Sequence, residues 1–311
     1  MAQATSIGWL HPLKQFLIFS LRSMAARLGC SMDPLISVRE LHALCASTLE
    51  APILIGVLPS WRFAVHHLPG SLQVWRPEIT EADGARLISA IGFQRWARSL
   101  GIGTRSRVVL WDECYDAPRL WWAFQVYGKS DVQVLDGGLQ AWRAAGLPLK
   151  RGWPSHPLGQ GDFSVSAGSG FAIADRQLVL QSCADHSSQL WDSRDSCEWE
   201  GRRRLSGATR AGRIAWAQHL NWRVFRRDAP YDLRFRSRSS LAACLDDFDL
   251  NHTARQIFYC QSGVRTTTAI LGLYRLGWDP EQLLNYDGSW REWSREPDPP
   301  CDSKFHHVPS A

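Results

Sequence analysis

Acidic residues are absent from the first 31 positions, which hold Lys14, Arg22 and Arg27. Long apolar runs are also missing there: Phe16-Leu17-Ile18-Phe19 falls far short of the roughly 20 residues needed to cross a bilayer, and no small-residue cleavage site follows it. A membrane span is therefore excluded there, and residues 1–32 read as an N-terminal extension ahead of an internal start at Met32, with a transit-type segment as the alternative. The eight cysteines (30, 45, 114, 183, 197, 244, 260, 301) form no CxxC pair and no Cys/His cluster at ligand spacing. That excludes a zinc site and a disulfide framework, and fits reduced thiols in a cytoplasmic setting. A basic stripe with interleaved aromatics is lacking too. The formal net charge is only +5, and outside Arg202-Arg203-Arg204 and the stretch Arg223 to Arg238 the bases are mixed with acids. Nucleic acid is a poor partner for such a surface, whereas a local anion site suits it.

What remains is a globular composition, 45% hydrophobic and 21% charged over 311 residues, with 16 tryptophans to anchor cores or an interface. The length predicts two domains of about 100 to 150 residues. Apolar runs predict strands at Ile53–Gly56, Val108–Trp111, Val132–Leu135, Leu190–Asp192, Ile257–Cys260 and Leu283–Tyr286. Helical periodicity between them covers Thr80–Ser99, Pro118–Tyr127 and Val264–Leu276. This alternation specifies α/β architecture, a mainly parallel sheet flanked by helices.

The pattern occurs twice. Val108-Val109-Leu110-Trp111-Asp112, a helix, and Asp136-Gly137-Gly138 through Trp142 recur as Gln256-Ile257-Phe258-Tyr259-Cys260, a helix, and Asp287-Gly288-Ser289-Trp290 through Trp293. Upstream, Ile53–Gly56 leading to His67–Gly70 is matched by Leu190–Arg194 leading to Gly212–Ala215. A spacing near 150 residues is the scale of a duplicated domain. The expected organisation is an extension (1–32), a first domain (33–150), a linker (151–174) that is rich in Gly, Ser and Pro from Arg151 to Gly170, a second domain (175–296) and a tail (297–311).

In the second copy an apolar strand runs into Cys260, four residues follow, and Arg265 precedes a helix that opens on Thr266, Thr267 and Thr268. A thiol at a strand-to-helix turn faces unpaired backbone N–H groups and the positive end of a helix dipole, surroundings that favour the thiolate. The same donors can hold a persulfide or a departing oxyanion, and Gly263 lets the backbone curl. Arg265 adds a charged fork suited to the oxygens of a sulfonate or sulfite. In the first copy Asp112 stands in place of Cys260, so a carboxylate there repels anionic donors. Cys114 lies two residues further on, outside any such cradle. The remaining cysteines read as structural.

The string Tyr259-Cys260-Gln261-Ser262-Gly263-Val264-Arg265 resembles the active-site loop of the rhodanese superfamily, in its tandem-domain sulfurtransferases. Asp192-Ser193-Arg194 with Glu198-Trp199-Glu200-Gly201, and Asp287-Gly288-Ser289-Trp290, extend the likeness over residues 33 to 296. The resemblance implies that Cys260 takes a sulfane sulfur from a small anionic donor, becomes a persulfide and passes the sulfur to cyanide or another thiol, with no cofactor or metal. It also implies that Arg265, Gln261, Ser262, Gly263, Val264 and Arg194 contact substrate while Asp192 supports them, and that the first domain is silent. Phosphatases of the same fold carry one more residue between Cys and Arg, so the four-residue spacing here favours sulfur over phosphate.

Many two-domain relatives carry an arginine where this chain has Glu198, and Arg265 is expected to supply the missing charge. That pairing resembles the thiosulfate-using bacterial branch, whereas Ser262-Gly263-Val264 matches the mercaptopyruvate type. Thiosulfate is the leading donor and 3-mercaptopyruvate the alternative. A non-enzymatic persulfide carrier is the rival of another class. Arg203 and Arg204 read as a solvated loop, and Trp290 and Trp293 as packing.

Overall fold

Two five-stranded, wholly parallel sheets carry the chain, one for each repeat. A computed structural model describes residues 32–47, 51–153, 159–167, 170–229, 232–297 and 300–302. Expectations for the extension up to residue 31, for Cys30 and for positions 303–311 of the tail lie outside the described residues.

The first repeat comprises β1 (Leu35–Ile36), α1 (Val38–Ala46), β2 (Ile53–Val57), α2 (Ser60–Val65), β3 (Leu72–Val74), α3 (Ala90–Ser99), β4 (Val108–Trp111), α4 (Ala117–Val126), β5 (Val132–Leu135) and α5 (Gly138–Ala144). The second comprises β6 (Ala172–Ala174), α6 (Arg176–Asp185), β7 (Ser188–Asp192), α7 (Ser196–Trp199), β8 (Arg213–Ile214), β9 (Gln218–His219), α8 (Arg238–Leu245), β10 (Arg255–Tyr259), α9 (Thr266–Arg275), β11 (Leu283–Tyr286) and α10 (Ser289–Trp293). A final strand, β12 (Cys301–Asp302), pairs antiparallel with β8.

Strand order is β1-β5-β4-β2-β3 in one sheet and β6-β11-β10-β7-β9 in the other, the same permutation twice. β4 and β10 are therefore equivalent central strands. Val108–Trp111 and Gln256–Tyr259 are buried throughout, as strands covered on both faces must be, which explains their unbroken apolar runs. In such sheets the carboxyl ends of central strands are where ligands bind. Asp112 and Cys260 occupy those two ends.

Most of the predicted elements lie within two residues of the observed ones. The predicted helix Thr80–Ser99 does not: α3 begins only at Ala90, capped by Ser89. Asp83 accepts hydrogen bonds from the amides of Ala85 and Arg86, and Gly84 adopts a left-handed φ of +74°, so this stretch turns back on itself. A bridge between Thr80 and Leu87 closes the excursion. The second repeat has its counterpart, closed by a bridge between Arg226 and Phe235.

From Pro34 onward the chain forms one compact unit, because α4 and α9 share a hydrophobic core. Leu120, Trp121 and Phe124 belong to the same buried cluster as Ile270, Leu271, Leu273 and Trp278. The Trp121 ring lies 5.8 Å from Tyr274 and 5.4 Å from Phe171. Every residue of α4 from Ala117 to Gln125 is buried, since one face meets its own sheet and the other meets the second repeat. Polar ties then exchange across the interface. The Leu87 amide donates to Asp287 Oδ2 (2.7 Å), and the Phe235 amide donates to Asp136 Oδ1 (2.8 Å). Each excursion thus grips the Asp-Gly turn of the opposite repeat.

Candidate active site

Cys260 follows the last residue of β10 and is 1% exposed. Its carbonyl accepts from the Trp290 amide (3.0 Å), and the Gln261 carbonyl accepts from the Arg291 amide (2.9 Å). Its own amide donates to Ser289 Oγ (3.2 Å), whose hydroxyl donates to the Tyr286 carbonyl (2.7 Å). Ser289 is held at φ 52°, a left-handed conformation costly for a residue with a side chain. The equivalent position in the first repeat is Gly138, at φ 53°. Glycine there meets the backbone demand at no steric cost. Serine meets it at some cost and gains a hydroxyl that fixes the amide of Cys260.

Past Cys260, the backbone N–H groups of Gln261, Ser262, Gly263 and Val264 have no protein acceptor among the described residues. They form a set of donors where the strand turns into α9, the arrangement that binds anions. Gly263 makes the turn at φ +66°; a Cβ there would sit 2.9 Å from both the carbonyl oxygen and Oδ1 of Asp287. Behind the turn, the Gly263 carbonyl accepts from Asn285 Nδ2 (3.0 Å) and Arg119 Nη1 (3.1 Å), while Thr266 donates to Asn285 Oδ1 (2.7 Å). The donors are exposed to the site because the carbonyls are held away from it.

Three buried arginines surround this loop, and each is matched to a carboxylate. Arg265 makes a forked contact with Glu198, Nη1 to Oε2 at 2.6 Å and Nη2 to Oε1 at 2.9 Å, with Asp195 Oδ2 3.5 Å away. Burial opposes its charge, but the Glu198 carboxylate and negative charge at Cys260 and Asp195 outweigh that and hold its pKa above the ordinary range. Arg194 binds Asp192 through Nε (3.0 Å) and Nη2 (2.5 Å), donates to the Gly212 carbonyl (2.8 Å) and lies over the rings of Trp290 (4.8 Å) and Tyr259 (5.5 Å). It too keeps its proton more firmly than usual, burial being outweighed mainly by Asp192. Arg119, from α4 of the first repeat, pairs with Asp287 and also donates to the Ala85 carbonyl (3.0 Å).

The placement differs from the sequence expectation in one consequential respect. Glu198 and Arg265 do lie together, but as partners: the fork expected to face a donor's oxygens is occupied by the carboxylate. Asp192 and Arg194, expected to support and to contact substrate, are instead paired with one another, buried beneath the loop. Gln261 and Ser262 are half-buried at its mouth, where Gln261 Nε2 donates to the Ser206 carbonyl (3.0 Å), and Val264 is buried. Arg203 and Arg204 are exposed, and Trp290 and Trp293 pack in the core of the second repeat.

Sequence reasoning passed over Arg119, Ser289 and Asn285. A lone arginine in the otherwise apolar α4 was a legible anomaly, since such a charge needs a buried partner. The exchange of Gly138 for Ser289 between the repeats was another.

In the first repeat the Asp112 carbonyl accepts from the Leu139 amide (2.9 Å), the bond that Cys260 makes with Trp290. Here the loop is acidic. Burial raises the Asp112 pKa against the pull of Arg226. Cys114 is pushed up to about 12 by burial and by the charges of Asp112 and Asp116. At neutral pH that thiol keeps its proton.

Twin parallel sheets with one cysteine loop at a central strand end define a class of two-repeat α/β proteins. Within it, the chain belongs to the rhodanese family: the family model described as "Rhodanese-like domain" matches residues 37–145 and again 175–296. "Putative thiosulfate sulfurtransferase SseB" of Mycobacterium tuberculosis is 32% identical over 242 residues, covering 75% of this chain and 82% of that protein. The 3-mercaptopyruvate sulfurtransferase of Rattus norvegicus is 27% identical over 240 residues, 74% of this chain and 78% of the relative. The crystal structure of SseA from Escherichia coli, a 3-mercaptopyruvate sulfotransferase with the "Rhodanese" fold, superposes with a TM-score of 0.71 at 22% identity, covering 83% and 99% of the two chains.

Proposed function

We propose that this chain is a sulfurtransferase that moves a sulfane sulfur from thiosulfate to cyanide or a thiol through a persulfide on Cys260. The reading rests on one observation above all: a buried cysteine followed by four backbone N–H groups that no protein acceptor among the described residues takes up. The Cys260 thiolate attacks the outer sulfur of thiosulfate, and the sulfur–sulfur bond breaks with its electron pair leaving on sulfite. The N–H groups of Gln261 to Val264 stabilise the charge on the persulfide and the departing oxyanion. The acceptor then attacks the outer sulfur, taking it and returning Cys260 to the thiolate. The chemistry calls for no cofactor. Arg265 and Arg194 act here mainly by shaping the loop, each through its own carboxylate.

The second reading is 3-mercaptopyruvate as donor, supported by the Ser262-Gly263-Val264 centre of the loop. Residues 33–150 serve as a silent scaffold and 175–296 as the catalytic repeat, to which the expected linker 151–174 adds its last three residues as strand β6 and the expected tail 297–311 adds β12 beside β8; 1–32 lies outside both. The twofold family match and the acidic loop at Asp112 support that division. No helix among the described residues is long and apolar enough to cross a membrane. Free Cys45, Cys114, Cys183, Cys197, Cys244 and Cys260 support a reducing, cytoplasmic setting.

Incubation with thiosulfate alone is expected to add one sulfur atom to the protein mass, and Cys260→Ser to abolish the gain. Sulfur appearing on Cys114 in that variant sinks the assignment. Steady-state kcat/KM with thiosulfate and with 3-mercaptopyruvate, cyanide accepting, ranks the donors. Loading without turnover would instead identify a carrier.

A further inference from the structure

With Arg119, Arg194 and Arg265 all matched to carboxylates, the site has used its buried positive charge before any donor arrives. A small dianion still needs a cation that is not already neutralised. Arg291, whose backbone is bonded to the loop, meets that condition among the described residues. The Arg291 amide donates to the Gln261 carbonyl at 2.9 Å, which fixes its backbone one residue from the nucleophile. Its guanidinium makes no ion pair among the described residues, and its hydrogen bond is to a neutral acceptor, Nη1 to the Gly84 carbonyl at 3.2 Å. Nε is buried without a partner, so a donor on this side chain points at nothing the protein provides.

The nearby acids are committed elsewhere. Glu292 accepts from the Tyr286 hydroxyl (2.7 Å) and lies 4.0 Å from Arg86, while Asp83 and Glu81 face Arg86 at 2.6 and 3.9 Å.

Two glycines, one from each repeat, clear the space this guanidinium fills. A Cβ on Gly84 would lie 2.6 Å from Nη1, and one on Gly207 would lie 3.0 Å from Nε. Gly207 follows Ser206, whose carbonyl holds the Gln261 side chain. Both glycines also have positive φ, +74° and +90°, so their loops turn around the arginine. The head group is thus seated where the excursion of the first repeat meets the mouth of the cysteine loop.

We propose that Arg291 is the specificity-determining cation of this site, binding the anionic end of the sulfur donor, the sulfonate of thiosulfate or the carboxylate of 3-mercaptopyruvate. This rests on the sulfurtransferase reading above and deepens it. Arg265 and Glu198 keep the loop in shape, and Arg291 provides the unneutralised charge that a glutamate at 198 would otherwise remove from the site.

The test compares alkylation of Cys260 by anionic iodoacetate and by neutral iodoacetamide, a ratio that reads local charge without any turnover. Arg291→Gln is expected to lower that ratio about tenfold, the scale of one charge-assisted contact, and Arg291→Lys to restore most of it. In turnover, Arg291→Gln is expected to raise KM for the preferred donor about tenfold while kcat changes less than about threefold. The arm in which KM rises, thiosulfate or 3-mercaptopyruvate, identifies the anion bound. An unchanged alkylation ratio in Arg291→Gln overturns the assignment whatever KM does, as does a ratio that falls only in Arg265→Gln. If the wild-type protein turns over neither donor, the function falls, and the alkylation ratio still decides the role of Arg291.

Discussion

The loop Asp112–Asp116 and the loop Cys260–Arg265 leave equivalent central strands of equivalent sheets, yet the first is filled by its own carboxylates while the second leaves its backbone donors open. Both accept a hydrogen bond from the start of the helix after the Asp-Gly turn, and both turns are gripped by the opposite repeat. Differences begin at the side chains. The Asp112 carboxylate turns inward to the Ala117 amide (2.7 Å) and so occupies with its own charge the donors that would otherwise face a ligand. In the second loop the donors after Cys260 stay open, and the neighbouring charges are balanced in pairs. The backbone frame was duplicated, and the chemistry depends on which side chains fill it.

The largest test of this contrast transplants the thiol. In a Cys260→Ser background, Asp112→Cys is expected to take up no sulfur from thiosulfate by intact-mass measurement, because Asp116 and burial disfavour a thiolate there. Uptake by the double variant would show that the cradle is common to both repeats.

A smaller effect probes what the first repeat contributes. Arg119→Met leaves Asp287 buried without its partner and is expected to cost about 3–5 kcal/mol in urea denaturation. Asp287→Asn added to it should recover part of that loss. Equal destabilisation in the single and double variants would show that the ion pair does not set the cost.

The finest probe is Ser289→Gly, which makes the active turn resemble Gly138. Relief of left-handed strain and loss of the hydroxyl are each worth about 1 kcal/mol and oppose one another, so stability should hardly move. The rate of sulfur loading is expected to fall about fivefold as the Cys260 amide loses its fixed acceptor. An unchanged rate would mean that the serine is only structural.

Much of this was legible beforehand because it is local. Alternating apolar runs name buried parallel strands, and the duplication of Asp-Gly and Trp around Asp112 and Cys260 names the frame and the copy that carries the cysteine. The excursion at Thr80–Leu87 was not legible, since its sequence satisfies a helical period and only the Asp83 turn and Gly84 break it. Nor was the state of Arg265, whose spacing from Cys260 says where it sits but not what it faces.

The sequence by itself therefore determined the two α/β repeats, the position of the thiol and the length of its loop, because strand, turn and helix preferences act between near neighbours. Only the tertiary structure decided the charge that a donor meets. Glu198 lies 67 residues from Arg265 and Arg119 lies 168 from Asp287, and the electrostatic field at a buried site is a sum over groups that folding alone brings within reach.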